Sequence, residues 1–156
     1  MRAQSAFTID SWDANGRASG IVTGTPGAGA FIVRSFAGGD IDGRSEVLFI
    51  GAFNEDRGSG TYVAVDSFEG AILGRTGTAS FWHANTMTRG RSTATDGILR
   101  FVPDSGTGEL AGIRGTGRIV ADGETHSIVL DVEFDGDGES AFEADVAGEA
   151  RGAVEA

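Results

Sequence analysis

Four side chains in this sequence have the chemistry to move or steer a proton together: Glu46, Asp66, His83 and Asn85. Imidazole titrates near neutrality, so His83 is the first choice for proton transfer. A carboxylate at Glu46 or Asp66 could act as base, or offset positive charge developing on a substrate. The Asn85 amide and the Tyr62 hydroxyl could hold a carbonyl or an enolate. Each residue also has a bland reading. His83 could be a satisfied interior histidine, and Asn85 and Tyr62 could be polar filling. Glu46 and Asp66 could face solvent or pair with Arg44, Arg100 or Arg114.

The elements that must position these groups read as strands. Helical periodicity is nearly absent, while two-residue alternation recurs from end to end. A first strand around Phe7, Ile9 and Ser11 ends at Asp13-Ala-Asn-Gly16. Further strands are expected over about 30–36, 45–53, 61–73, 78–87, 97–102, 117–121 and 125–134. The connections carry turn chemistry: Gly38-Gly39-Asp40, Asn54-Glu-Asp-Arg-Gly58, Gly74-Arg-Thr-Gly77 and Asp122-Gly123. Pro103 stops the sixth strand because it cannot donate to a central ladder. About eight antiparallel strands in a meander predict an all-β domain closed into a single barrel, which abolishes exposed edges. A β-sandwich is the competing architecture.

Alternation then sorts side chains into faces. Glu46, Leu48, Ile50 and Ala52 share one face of the third strand; Tyr62, Ala64, Asp66 and Phe68 share one face of the fourth. On the fifth, Phe81, His83, Asn85 and Met87 lie together, with Trp82 opposite. Ile128, Leu130, Val132 and Phe134 form the clearest inward stripe. If these faces line one lumen it is mainly apolar. Leu48, Ile50, Tyr62, Phe68, Phe81, Met87, Leu130 and Val132 would touch a ligand, and the few polar groups would orient it.

Composition narrows the function classes. The chain has 156 residues, with 26 glycines but no Gly-x-y period, so it is one domain and not collagen-like. There is no cysteine, which removes disulfides and thiolate nucleophiles. A net charge of -11 disfavours nucleic acid and anionic membrane as partners. All 12 basic side chains are arginine, which reads as coding bias rather than recognition. The N-terminus shows no apolar signal region, and no apolar run approaches a bilayer span, so a cytoplasmic protein is expected. The last segment, 135–156, is acidic and could be a strand, a short helix or a tail. Two histidines are too few for a multi-histidine metal centre, and Asp131-Val-Glu-Phe-Asp-Gly-Asp-Gly138 alternates like a strand end rather than a calcium loop. Without lysine, Gly24 to Gly29 cannot be a phosphate-binding P-loop. No metal and no cofactor are expected.

Four segments carry a family resemblance: Phe7-Thr-Ile-Asp-Ser-Trp-Asp13, Phe68-Glu-Gly70, Gly74-Arg-Thr-Gly-Thr-Ala-Ser-Phe81 and Pro103-Asp-Ser-Gly-Thr-Gly-Glu-Leu-Ala-Gly-Ile-Arg-Gly115. From about Phe7 to Phe134 their order resembles an uncharacterised bacterial domain family with an allene-oxide-cyclase-like barrel, related to lipocalin and dirigent barrels. The resemblance implies a barrel holding one small, largely apolar molecule; it implies no particular activity. Where that family carries a carboxylate on the third strand and a histidine on the fifth, this chain has Leu48 and Asn85, with Glu46 and His83 one same-face step earlier. The function expected is a cofactor-free cyclase or isomerase of a polyketide- or terpenoid-like intermediate. The alternatives are a non-catalytic carrier and a structural module whose lumen is filled. Homo-oligomers are common among such barrels.

Overall fold

The computed structural model describes residues 1–93, 96–122 and 124–135. The Asp122-Gly123 turn and nearly all of the acidic C-terminal segment fall outside them. Eight strands follow in order: β1 (Arg2–Asp13), β2 (Gly27–Phe36), β3 (Ile41–Asn54), β4 (Ser59–Ile72), β5 (Arg75–Met87), β6 (Gly97–Phe101), β7 (Arg114–Asp122) and β8 (Thr125–Glu133). Each pairs antiparallel with the next, and β1 pairs with β8, so the sheet is a closed barrel. The expected architecture is therefore the observed one. Most strands run two to four residues beyond their expected ends, because glycine and arginine at strand termini continue the ladder despite weak β propensity.

Alternation of burial shows why these segments are strands. In β1, Ala3, Ser5 and Phe7 are buried while their neighbours are exposed. In β8 the buried residues are Ile128, Leu130 and Val132. A bulge between Ile9 and Ser11 adds one residue to β1. The pairing beyond it sets Trp12 opposite Ile32, so Trp12 joins the inward face although Phe7 and Trp12 differ in parity. Gly43 and Gly70 oppose each other across β3 and β4 with φ of 153° and 149°. A Cβ on Gly70 would lie 2.1 Å from the Asp42 carbonyl oxygen, so only glycine lets the two backbones approach there.

One end of the barrel is packed solid. Phe36, Phe68 and Phe81 fill it in tilted and edge-on contacts, with Phe36 and Phe68 centroids 5.8 Å apart. Each fully buried ring of this kind contributes about 2–3 kcal/mol. The glycine-rich segment between β6 and β7 closes that end. It forms a short 3-10 helix, Gly108–Leu110, that drives Leu110 into the core. The Thr107 N–H donates to the Thr78 carbonyl at 2.8 Å. Glu109 accepts from the Thr76 N–H at 2.8 Å, which holds its carboxyl below the usual range. Gly77 permits this docking, since a Cβ there would stand 2.0 Å from the Thr107 carbonyl oxygen.

Candidate functional site

Above the phenylalanine core the lumen turns polar. Arg34 of β2, Ser45 of β3, Asp66 of β4 and His83 of β5 all point inward and are buried. They meet because they follow from register: Val47 opposes Asp66, Asp66 opposes Phe81, and the neighbouring inward positions fall at one height. Arg34 Nη2 donates to Asp66 Oδ1 at 2.8 Å, and Ser45 Oγ donates to Asp66 Oδ2 at 2.7 Å. His83 Nε2 lies 2.9 Å from Asp66 Oδ1 and 2.9 Å from Arg34 Nη2. His83 Nδ1 lies 3.0 Å from the Tyr62 hydroxyl. Arg34 Nε is buried with no hydrogen-bond partner from the protein.

The three-way contact at Nε2 restricts the protons. Arg34 can only donate, and Asp66 as a carboxylate can only accept. If Nε2 carries the hydrogen it donates to Asp66, and Nδ1 accepts from the Tyr62 O–H. If Nε2 is bare it accepts from Arg34, and Nδ1–H donates to the Tyr62 oxygen, which frees the phenolic proton. One tautomer change in His83 therefore converts Tyr62 from a committed donor to an available one. Burial pushes the Tyr62 phenol above its ordinary value and the Asp66 charge adds to this, while Arg34 opposes it. Tyr62 is thus held as a neutral phenol, suited to donating rather than attacking.

Toward the other end the inward residues become small: Ala28 and Ala30 on β2, Gly51 on β3, Ala64 on β4. The space they leave opens as a cleft of about 540 Å³ lined by Trp12, Ala28, Ala30, Phe49, Gly51 and Phe53 with the 23–26 and 54–56 loops. Phe49 is its floor. It stacks on Tyr62 at 5.1 Å and 18°, and meets Trp12 edge-on at 4.8 Å. Tyr62 touches this floor through the stack and is the cross-strand partner of Gly51.

The expected site residues divide cleanly. Asp66, His83 and Tyr62 come together as one network, and Phe68, Phe81, Leu130 and Val132 are inward but locked in the solid core. Asn85 is inward of the rim and accepts from Ser92 Oγ at 2.8 Å rather than joining His83. Met87, at the end of β5, is exposed. Three assignments on β3 are corrected: Glu46, Leu48 and Ile50 face outward. Leu48 and Ile50 are 66% and 69% exposed, and Glu46 accepts from Arg44 at 2.7 Å on the outer wall. The inward residues of β3 are Ser45, Val47, Phe49 and Gly51. Arg34 and Ser45 were missed. Arg34 does carry a signal, as the lone charge in the stripe Ala30, Ile32, Arg34, Phe36; Ser45 carries none.

The family model described as "protein of unknown function (DUF3224)" matches residues 3–132. The chain belongs to the DUF3224 family. A crystal structure of a DUF3224 protein of unknown function from Shewanella oneidensis MR-1 is similar, with a TM-score of 0.76 and 26% sequence identity. The likeness covers 86% of this chain and 97% of that one. No curated protein matches. DUF3224 membership thus accounts for the barrel and names no activity. Among the described residues no helix is long and apolar enough to cross a membrane.

Proposed function

We propose that this barrel binds a small, largely apolar molecule at its open mouth and acts on it as a cofactor-free cyclase or isomerase. The observation that carries the reading is the unbroken hydrogen-bonded path Asp66–His83–Tyr62, joined to an aromatic-floored cleft through the Phe49–Tyr62 stack. Small residues at the mouth leave room for a substrate, and Trp12, Phe49 and Phe53 offer flat faces to a conjugated one. Entry would swing Phe49 off Tyr62 and bring the phenol to a substrate carbonyl. Tyr62 would lend its proton to the carbonyl oxygen and recover it as the product carbonyl re-forms, His83 Nδ1–H would donate to the phenolic oxygen meanwhile, and the Arg34–Asp66 pair would hold the imidazole in place.

A second reading, a non-catalytic carrier, is favoured because Phe49, stacked on Tyr62, lines the cleft while Tyr62 does not. The two are separated by fluorescence and turnover together. In a Trp82→Phe protein, Trp12 is the one remaining tryptophan and lines the cleft, so a bound polyene or aryl ketone should quench it saturably. The catalytic reading expects such a ligand to be converted, with loss of conversion in Tyr62→Phe and retained quenching. Binding without conversion leaves the carrier, whereas conversion untouched by Tyr62→Phe overturns the part given to Tyr62. If no apolar ligand perturbs Trp12, the small-molecule reading itself fails.

A further inference from the structure

The outer wall of the barrel carries a patch whose register is informative. Phe31, Leu48, Val65 and Trp82 are mutual cross-strand partners on β2 to β5, and they form one outward row. Ile50, Val63, Ala84 and Ile98 form the next row on β3 to β6. Neither row contains a charge over these strands, in a chain whose net charge is -11; Asp13 on β1 and Arg100 on β6 flank the first row at its two ends. Polar residues bound the patch, with Glu46, Ser67 and Ser80 on one side and Thr61 and Thr86 on the other.

Beside this patch the 14–26 loop is pinned to the barrel at three points. Gly16 packs against the Gly29 backbone, Ser19 N–H donates to the Gly27 carbonyl at 2.9 Å, and Asn54 Nδ2 donates to the Gly24 carbonyl at 3.0 Å. Between the pins, Ile21 and Val22 project with 77% and 81% of their surface exposed. Residues 15–20 of the loop, 27–31 of β2 and 48–50 of β3 line an open groove of about 890 Å³, which shares Ala28, Gly29, Ala30 and Phe49 with the cleft. One chain therefore displays an apolar groove and an apolar tip that do not fill each other.

We propose that the outer β3–β4 wall is a homodimer interface, in which the Ile21–Val22 tip of each copy lies in the Leu48–Ile50 groove of the other. Two copies with this charge repel everywhere except across an uncharged face, and this is where such a face occurs. Size supports the reciprocal arrangement over a flat one. Four inter-strand spacings and two outward rows span about 19 Å by 14 Å, roughly 270 Å² in plan. That falls short of the about 800 Å² per partner typical of stable complexes, so a stable dimer on this face requires groove and tip to be engaged in both copies by a twofold axis. The groove adjoins the cleft, but the inference does not depend on any ligand or activity.

Sedimentation equilibrium of the full chain over a concentration series tests it. The wild type should sediment at twice the chain mass. Leu48→Glu/Ile50→Glu, which puts two charges into the groove, and Val22→Glu, which puts one on the tip, should each weaken association at least about a hundredfold. Circular dichroism should show both variants folded. Should the strand variant unfold, Val22→Glu decides alone, because its loop lies outside the barrel ladder. A wild type at monomer mass throughout overturns the proposal, as does a dimer that survives Val22→Glu.

Discussion

Removing the charge of Asp66 while keeping its shape should be among the most damaging single changes available in this barrel. Asp66 is 0% exposed and accepts from Arg34 at 2.8 Å and Ser45 at 2.7 Å. Asp66→Asn would leave the Arg34 guanidinium, only 6% exposed, without its counter-charge. Leaving one ion of a buried pair uncompensated costs about 3–5 kcal/mol, a large share of a total stability of about 5–15 kcal/mol. At roughly 3 °C per kcal/mol for a chain of this size, melting should fall by about 10 °C or more. Arg34→Met alone should cost a similar amount, for the opposite charge. The double variant removes both ions, and an apolar replacement of a buried pair is often close to neutral. Urea unfolding of the four proteins gives the cycle, and the double variant should be more stable than either single one. Additive losses, or a loss under about 1 kcal/mol in Asp66→Asn, would show that the pair is solvated and that the network is not the dry assembly described above.

Tyr62 makes a pH prediction. Its folded pKa is raised above the ordinary 10.0, chiefly by burial, so the phenolate is the form the fold disfavours. Its contribution is complete below pH 10.0 and is lost as pH rises through the folded value; urea midpoints should fall more steeply at alkaline pH in the wild type than in Tyr62→Phe. Gly70→Ala should destabilise by at least about 2 kcal/mol in the same assay, whereas Gly20→Ala, with open space around it, should be within about 0.5 kcal/mol of wild type. Glu46→Gln, on the outer wall, should leave ligand quenching of Trp12 unchanged; a clear change would put Glu46 back in the lumen.

Strand faces were legible wherever one side of the strand is polar. On β4 the outward Ser67 and Glu69 leave Asp66 and Phe68 no choice of side, and on β8 Asp131 and Glu133 do the same for Leu130 and Val132. On β3 the test fails, because Val47 and Phe49 are apolar on one face and Leu48 and Ile50 on the other. Period two assigns partners to a face but does not say which face is the core when both are hydrophobic. The conspicuous polar group, Glu46, lies on the outward face with Arg44, while the inward polar residue is Ser45, whose small hydroxyl does not mark its face in the sequence. The bulge in β1 had no sequence mark either, so the inward turn of Trp12 emerged only from pairing. The β3 ambiguity has a physical source. A strand with one face in a core and the other against solvent should alternate, and β3 stops alternating from Val47 to Phe53. Val47 and Phe49 meet the lumen, while Leu48 and Ile50 stand exposed on the face proposed above as a contact between copies, so the same residues that blurred the choice of face are the ones the Leu48→Glu/Ile50→Glu variant tests.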